Sequence, residues 1–277
     1  MKKYFKIQIE TASNEEAEIL IASLSEIYFY AFEQEEASLN AYITEEDFNE
    51  TELKNTLPLN TNFKKEIIEE ENWNQQWEQS IEPVLVNSFA AIRPAFHEPV
   101  KGVKHEIIIT PKMSFGTGHH ATTFLMIEMM EAIDLHEKTV LDFGTGTGVL
   151  AILAEKCGAS KVLAIDHDEW SINNALENIE ANQCKNISVE LRSDLPSIAP
   201  FDLFLGNINL NVLTSLSSGI SELLKPGSFL LTSGFLLKDI KEMQNIFEEK
   251  GVWLREMRQR GDWAAILFQN GNLSKFN

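Results

Sequence analysis

Residues 140–148, Val-Leu-Asp-Phe-Gly-Thr-Gly-Thr-Gly, hold a carboxylate, Asp142, just before three alternating glycines, Gly144, Gly146 and Gly148. Glycines at that spacing let a chain leaving a strand turn tightly and bring its backbone against a ligand, beside the open N-terminus of the next helix. The following apolar run, Val162 to Ile165, ends at Asp166, where a carboxylate on a strand tip accepts both hydroxyl protons of a ribose. Together these segments read as the first βαβ unit of a nucleotide-binding sheet.

Two cofactors fit that unit. A dinucleotide site usually reads G-x-G-x-x-G, whereas this chain reads G-x-G-x-G and carries Asp142 ahead of it. An acid there receives an ammonium group, which S-adenosyl-L-methionine has and NAD lacks, and it repels a pyrophosphate. S-Adenosylmethionine is the expected cofactor, with Asp142, Gly144, Gly146 and Asp166 binding it. NAD and a purely structural glycine turn are the alternatives.

Three further positions could do chemistry. The run Phe204-Leu205-Gly206-Asn207 puts a polar Asn207 just beyond a buried strand, at the edge where ligands bind. There its carbonyl could hold a substrate N–H and aim the nitrogen lone pair at a methyl carbon, or the residue could simply form a turn. Asp194, after another strand, could accept from an adenine amino group or cap a helix. Residues 115–123, Phe-Gly-Thr-Gly-His-His-Ala-Thr-Thr, form a loop able to fold over a ligand with hydroxyl and backbone donors. His119 and His120 diverge as neighbours and have no third ligand at a useful spacing, so no metal site is expected.

These groups need elements to hold them. From Ala121 the chain alternates regularly: helices near 121–133, 148–157 and 169–181, the last capped by Asp168, with strands at 139–143, 162–165, 187–191, 202–205 and 229–232. Pro226-Gly227 reads as the turn before the last of these, and 252–257 with 264–268 as a closing antiparallel hairpin. Residues 1–70 read strand, helix, strand, strand, helix, strand, with Phe5, Ile7 and Ile9 alternating. Ser13 and Glu16 suggest a capping box, Tyr28 to Phe32 and Leu39 to Ile43 a strand pair, and Thr44 the start of a second helix. That is the order of a ferredoxin-like α+β domain. Residues 71–100 are expected to hold a linker helix with Trp73 and Trp77 on one face, then the first strands, and 101–277 the catalytic domain. The fold class is α/β: a Rossmann-like seven-stranded methyltransferase sheet with a closing antiparallel hairpin, plus the small N-terminal domain.

Bulk composition agrees. A chain of 277 residues, 44% hydrophobic, can bury one large core and a smaller one. No apolar run is long enough for a signal peptide or membrane span, so a cytoplasmic protein is expected, and Cys157 and Cys184 are too few for a disulfide framework. A net charge of −19 disfavours nucleic acid and favours a basic protein partner, unless the acidity serves solubility alone.

The combination of Asn72-Trp73 with Trp77, the Phe115 to Gly118 loop ending at Thr122-Thr123, the Asp142 to Gly148 turn, Ile165-Asp166 and Asn207-Ile208 resembles the bacterial ribosomal protein L11 methyltransferase family, over essentially the whole chain. The resemblance implies cofactor contacts at Thr123, Gly144, Asp166 and Asn207. It also implies a small N-terminal domain that docks the ribosomal protein, and repeated methylation of lysine and N-terminal amines. This sequence departs from the family at His119, Ala121 and Asn209, and it lacks the Asn-Pro-Pro-aromatic tetrad of glutamine and adenine methyltransferases, which supports flexible amines as substrates. The expectation is a monomeric amine methyltransferase with Asn207 at the reacting nitrogen. An enzyme acting on another protein or a small molecule, or a non-catalytic ribosomal-protein adaptor, remain the rivals.

Overall fold

The computed structural model describes residues 3–11, 13–34, 38–58, 61–69, 82–110, 116–197 and 200–271. The expected tryptophan helix at 71–77 and Phe115 lie outside them. The chain divides into two compact units, Met1–Gln76 and Trp77–Asn277.

In the first unit, β1 (Lys3–Glu10), α1 (Asn14–Ser25), β2 (Ala31–Gln34), β3 (Ser38–Thr44), α2 (Glu50–Thr56) and β4 (Phe63–Glu69) follow one another. The four strands form one sheet in the order β2-β3-β1-β4, antiparallel throughout. Alternation puts Phe5, Ile7 and Ile9 on one face, where they pack with Leu20, Leu24, Leu39, Ile43 and Leu53. Ser13 Oγ accepts the Glu16 N–H at 3.2 Å and so starts α1 where its cap lies. Two boundaries differ from the sequence reading. Tyr28 has a φ of +69° and belongs to the turn, so β2 begins only at Ala31. Thr44 closes β3 instead of opening a helix: its hydroxyl donates to Asp47 Oδ2 at 2.6 Å, and α2 waits for Asn49, whose Oδ1 accepts from Thr51 and Glu52.

The second unit opens with a three-stranded sheet of β5 (Val84–Val86), β6 (Ala90–Pro94) and β7 (His105–Ile109). Because β6 pairs in parallel with β7, the strands on either side of residue 100 belong to one sheet. Then come α3 (Ala121–Met130), β8 (Thr139–Phe143), α4 (Val149–Lys156), β9 (Lys161–Asp166), α5 (Glu169–Ala181), β10 (Ile187–Leu191) and β11 (Phe201–Asn207). The chain continues through α6 (Leu210–Glu222), β12 (Leu224–Leu236), α7 (Ile240–Glu248), β13 (Val252–Arg260) and β14 (Trp263–Asn270). Strands β8 to β14 form a seven-stranded sheet in the order β10-β9-β8-β11-β12-β14-β13, parallel except for β14, which runs antiparallel to both of its neighbours β12 and β13.

Both faces are covered, which is why the central strands are apolar without alternation. On one side Leu125, Met126, Leu150, Leu153 and Ile107 pack with Val140, Leu203 and Leu231. On the other, Leu213, Ile220, Met243 and Phe247 pack with Leu141, Phe204 and Phe268. The Pro226-Gly227 turn expected before the last parallel strand lies inside β12. It is the irregularity at which pairing with β11 shifts from Phe201–Leu224 to Leu203–Phe229, and Gly227 carries the positive φ of +82° that this needs.

Strand order runs outward from β8 to β10 on one side and restarts at β11 on the other. The direction of winding therefore reverses between β8 and β11, and in open α/β sheets ligands bind beyond the carboxyl ends of the strands flanking that reversal. Among the described residues no helix is long and apolar enough to cross a membrane, and no group of three His, Cys, Asp or Glu could hold a metal ion.

Candidate active site

Asp142 sits near the end of β8, register-paired with Leu205 of β11 and Ala164 of β9, so its side chain is enclosed by the sheet's centre. It is 1% exposed. Its Oδ2 accepts the Thr145 hydroxyl at 2.6 Å, whereas its Oδ1 is buried with no hydrogen-bond partner. Burial, helped by the neighbouring Asp166 charge, pushes its pKa up to about 7, against the pull of the Thr145 hydroxyl and of the Ala151 backbone N–H. A buried carboxylate oxygen without a partner, on a strand beside the winding reversal, is a place that a cation or N–H group would fill.

The glycine turn wraps between β8 and β9. Gly144 and Thr145 N–H both donate to Ile165 C=O, at 2.8 and 2.9 Å, and Gly146 N–H donates to Asp166 Oδ2 at 2.9 Å. Asp166 Oδ1 accepts the Asp168 N–H at 3.1 Å and lies 3.3 Å from Nδ1 of the exposed His167. The Asp166 carboxylate is thus oriented by backbone before any ligand arrives. Gly144 has a φ of +80°, and a Cβ there would overlap the Ile208 side chain. The residue after Asn207 therefore packs directly on the turn.

Asn207 ends β11, across from Ser233 of β12. Its Nδ2 donates to Thr123 Oγ1 at 3.3 Å, and Thr123, in the first turn of α3, is fully buried. The amide's other atom, Oδ1, is buried with no partner. Hence two orphaned acceptors, Asp142 Oδ1 and Asn207 Oδ1, stand on the two strands that flank the winding reversal, with Asp166 on the next strand along.

Asp194 stands apart. Its side chain is 73% exposed and both of its oxygens are engaged by Arg192, at 3.1 and 3.2 Å. His120 caps α3: its Nδ1 accepts the Thr122 N–H at 3.3 Å and meets the Thr122 hydroxyl at 2.8 Å. His119 Nδ1 lies 3.3 Å from the Thr117 hydroxyl. Asp168 caps α5, accepting from Trp170 and Ser171.

Several neighbours of the site carried no signal strong enough to single them out. Gly234, with a φ of +98°, lies so close to the Ile208 carbonyl that a Cβ could not fit, so it holds the Asn207-Ile208 bend from the β12 side. The turn of the closing hairpin also reaches the start of α3. Trp263 meets His120 edge to face at 4.8 Å, and the Arg260 guanidinium lies 3.7 Å above the Phe124 ring. A Ser-Gly pair at the end of an apolar strand was the available hint for Gly234; nothing near Trp263 in sequence points to His120.

Known proteins are similar to this chain over most of its length. The model of the family described as ribosomal protein L11 methyltransferase (PrmA) matches residues 4–271. A ribosomal protein L11 methyltransferase of Porphyromonas gingivalis is 39% identical over 276 residues, covering 95% of this chain and 92% of its own length. Its counterpart in Chlorobaculum tepidum is 38% identical over 269 residues, covering 92% and 93%. The crystal structure of a ribosomal protein L11 methylase from Lactobacillus delbrueckii subsp. bulgaricus superposes with a TM-score of 0.64 at 27% identity, covering 69% of this chain and 100% of that one. With a glycine turn between two carboxylates, an asparagine on the facing strand and a match of this extent, the chain belongs to the ribosomal protein L11 methyltransferase family.

Proposed function

We propose that this chain transfers methyl groups from S-adenosyl-L-methionine to lysine and N-terminal amines of ribosomal protein L11. The observation that carries the reading is the pair of buried, partnerless acceptors Asp142 Oδ1 and Asn207 Oδ1 at the winding reversal. One accepts the ammonium of the methyl donor, the other an N–H of the substrate amine. Asp166 accepts the ribose hydroxyls, and Gly144 and Gly146 let the backbone approach. When bound, S-adenosylmethionine supplies a methyl group on a positively charged sulfur. An amine must be neutral to attack it, and a nearby positive charge favours the neutral form of a lysine whose ordinary pKa is about 10.4.

In this reading Asn207 leaves the nitrogen lone pair free while its Oδ1 holds the N–H, and Thr123, which the family resemblance implies as a cofactor contact, is instead given the role of fixing the Asn207 amide, because its fully buried hydroxyl accepts from that side chain. Asp194, paired with Arg192 at the surface through one contact on each oxygen, keeps a further lone pair on each with which to accept from the adenine amino group. The N-terminal unit, whose strand order is that of a ferredoxin-like domain, docks the ribosomal protein, and the acidic chain steers its basic substrate as a cytoplasmic monomer.

The test is incubation with radiolabelled methyl donor and purified L11, followed by mapping of the labelled amines. Label on lysine and α-amine nitrogens is expected. Donor binding without any label on L11 would leave only the adaptor reading.

A further inference from the structure

We propose that Asn178 is a positioning residue for the glycine turn, one that sets the affinity for the methyl donor without touching it. This rests on the cofactor site described above.

Asn174, Asn178 and Asn182 recur every fourth residue along α5 and its C-cap and so share one face. That face runs along the edge of β7 that, among the described residues, no strand covers. Asn182 Oδ1 accepts the Ile108 N–H at 3.0 Å and its Nδ2 donates to Ile108 C=O at 2.6 Å. Asn178 Oδ1 accepts the Thr110 N–H at 2.7 Å, and Asn174 Nδ2 donates to Thr110 C=O at 3.3 Å. Three side chains on a helix thus do for β7 what a neighbouring strand's backbone does elsewhere, and Asn174 and Asn178 do it fully buried.

Asn178 alone does more. Its Nδ2 donates to Thr147 C=O at 2.8 Å, inside the glycine turn, and to Asn174 Oδ1 at 3.1 Å. Thr147 lies between Gly146, whose N–H orients Asp166, and Gly148, where a Cβ would come within 3.3 Å of Ala175 on the same helix. The Thr147 hydroxyl in turn donates to Gly116 C=O at 2.9 Å. Through one amide group, β7, α5 and the turn share a junction. Losing its donor leaves the Thr147 carbonyl buried without that partner and frees the Thr147–Gly148 peptide, whose N–H donates at 2.9 Å to the Thr145 carbonyl of the peptide that carries the Gly146 N–H.

The three asparagines supply their own control. Asn182 makes the same kind of edge contact as Asn178 but does not reach the turn, so a purely structural role predicts equal consequences for both. Calorimetric titration of S-adenosylmethionine into full-length protein, with thermal melts of the ligand-free chain, separates the cases. Asn178→Ala is expected to raise the donor Kd about tenfold, and the donor KM with it, while kcat at saturating donor stays within about twofold. Asn182→Ala lowers the melting temperature but leaves Kd at the wild-type value. Asn178→Asp, which keeps the acceptor for Thr110 N–H and loses the donor for Thr147 C=O, reproduces the rise in Kd and serves if the alanine variant does not fold. Wild-type Kd in Asn178→Asp, or an equal rise in Asn182→Ala, overturns the proposal. Wild-type protein that binds no donor at all defeats the cofactor reading instead, a result distinct from either.

Discussion

The Asn207 Nδ2 donates to Thr123 Oγ1 across 84 residues of chain, so the end of a core strand and the first turn of a helix hold one amide between them. That bond fixes the amide's orientation: the nitrogen is engaged, and the buried oxygen is left to accept. Thr123→Val keeps the shape and removes the acceptor, which frees the amide to rotate and leaves its N–H unpaired at a cost of about 1–3 kcal/mol. The expected result is a fall in kcat/KM on L11 of at least about tenfold with donor affinity nearly unchanged. Thr123→Ser should recover most of the loss, because it restores the hydroxyl. Stopped assays alongside donor titrations check this, and equal turnover in the valine variant would separate Thr123 from the reaction.

The buried Asp142 predicts a pH dependence of definite sign. Its pKa is raised from 3.8 to about 7, so the folded chain keeps a proton that the unfolded chain has already released. Where the folded state binds more protons, stability falls as pH rises, here between about pH 4 and pH 7, by a few kcal/mol in the ligand-free protein. Asp142→Asn removes that penalty. Its melting temperature should therefore gain on wild type as pH climbs through this window, while its affinity for the methyl donor drops because the carboxylate meant for the ammonium is gone. Melting curves of the two proteins that stay parallel from pH 4 to 7 would show that Asp142 does not titrate there.

Asp166 already spends one lone pair on Gly146 N–H and one on Asp168 N–H. Replacing it with alanine removes the ribose acceptor and also leaves two backbone donors without their carboxylate, so donor binding should weaken by about 1–3 kcal/mol. Calorimetry at fixed pH reads the change directly. Binding as tight as wild type would move the ribose elsewhere.

Much of this could be read along the chain before folding. The carboxylates Asp142 and Asp166 and the polar Asn207 announce themselves because each stands beside a run of apolar residues that has to be a buried strand. The seven strands of the sheet and its closing hairpin follow from the same alternation of elements, whereas the strand order that sets the winding reversal does not. What could not be read is contact between distant segments. The asparagines of α5 look like ordinary surface polarity until the edge of β7 away from β6 is seen to have no described strand beside it, and Gly234 looks like a strand break until Ile208 lies against it. Asp194 has the right place in the sequence, yet Arg192 two residues earlier closes a two-point ion pair around it. Pro226-Gly227 has the composition of a turn and is absorbed into a strand as an irregularity, since pairing with β11 resumes beyond it.

Packing between the turn and the bend after Asn207 gives a further test. Gly144→Ala imposes a left-handed backbone on a residue with a side chain, costing about 1–2 kcal/mol, and drives its Cβ into Ile208. Turnover should fall by more than stability alone explains, because Ile208 moves with Asn207. Adding Ile208→Ala makes room and should return part of the activity, a coupling that a double-mutant cycle measures. Strictly additive effects would mean that the two residues act independently.

The division of labour between the two units is the last expectation. The first unit has its own core and caps but contributes none of Asp142, Asp166 or Asn207, while Trp77–Asn277 contains every residue proposed to hold the methyl donor. A protein of residues 77–277 should bind S-adenosylmethionine with wild-type affinity and lose most of its kcat/KM on intact L11, because docking energy is what brings the amine to the methyl group. On a short lysine peptide, which has little to dock, the two proteins should differ far less. If the net charge of −19 steers a basic substrate, added salt should also lower kcat/KM of the full-length enzyme on L11 more than on the peptide. Unchanged methylation of L11 after truncation would make the first unit a stabilising appendage. Loss of donor binding would mean that residues 1–76 are needed to complete the cofactor site.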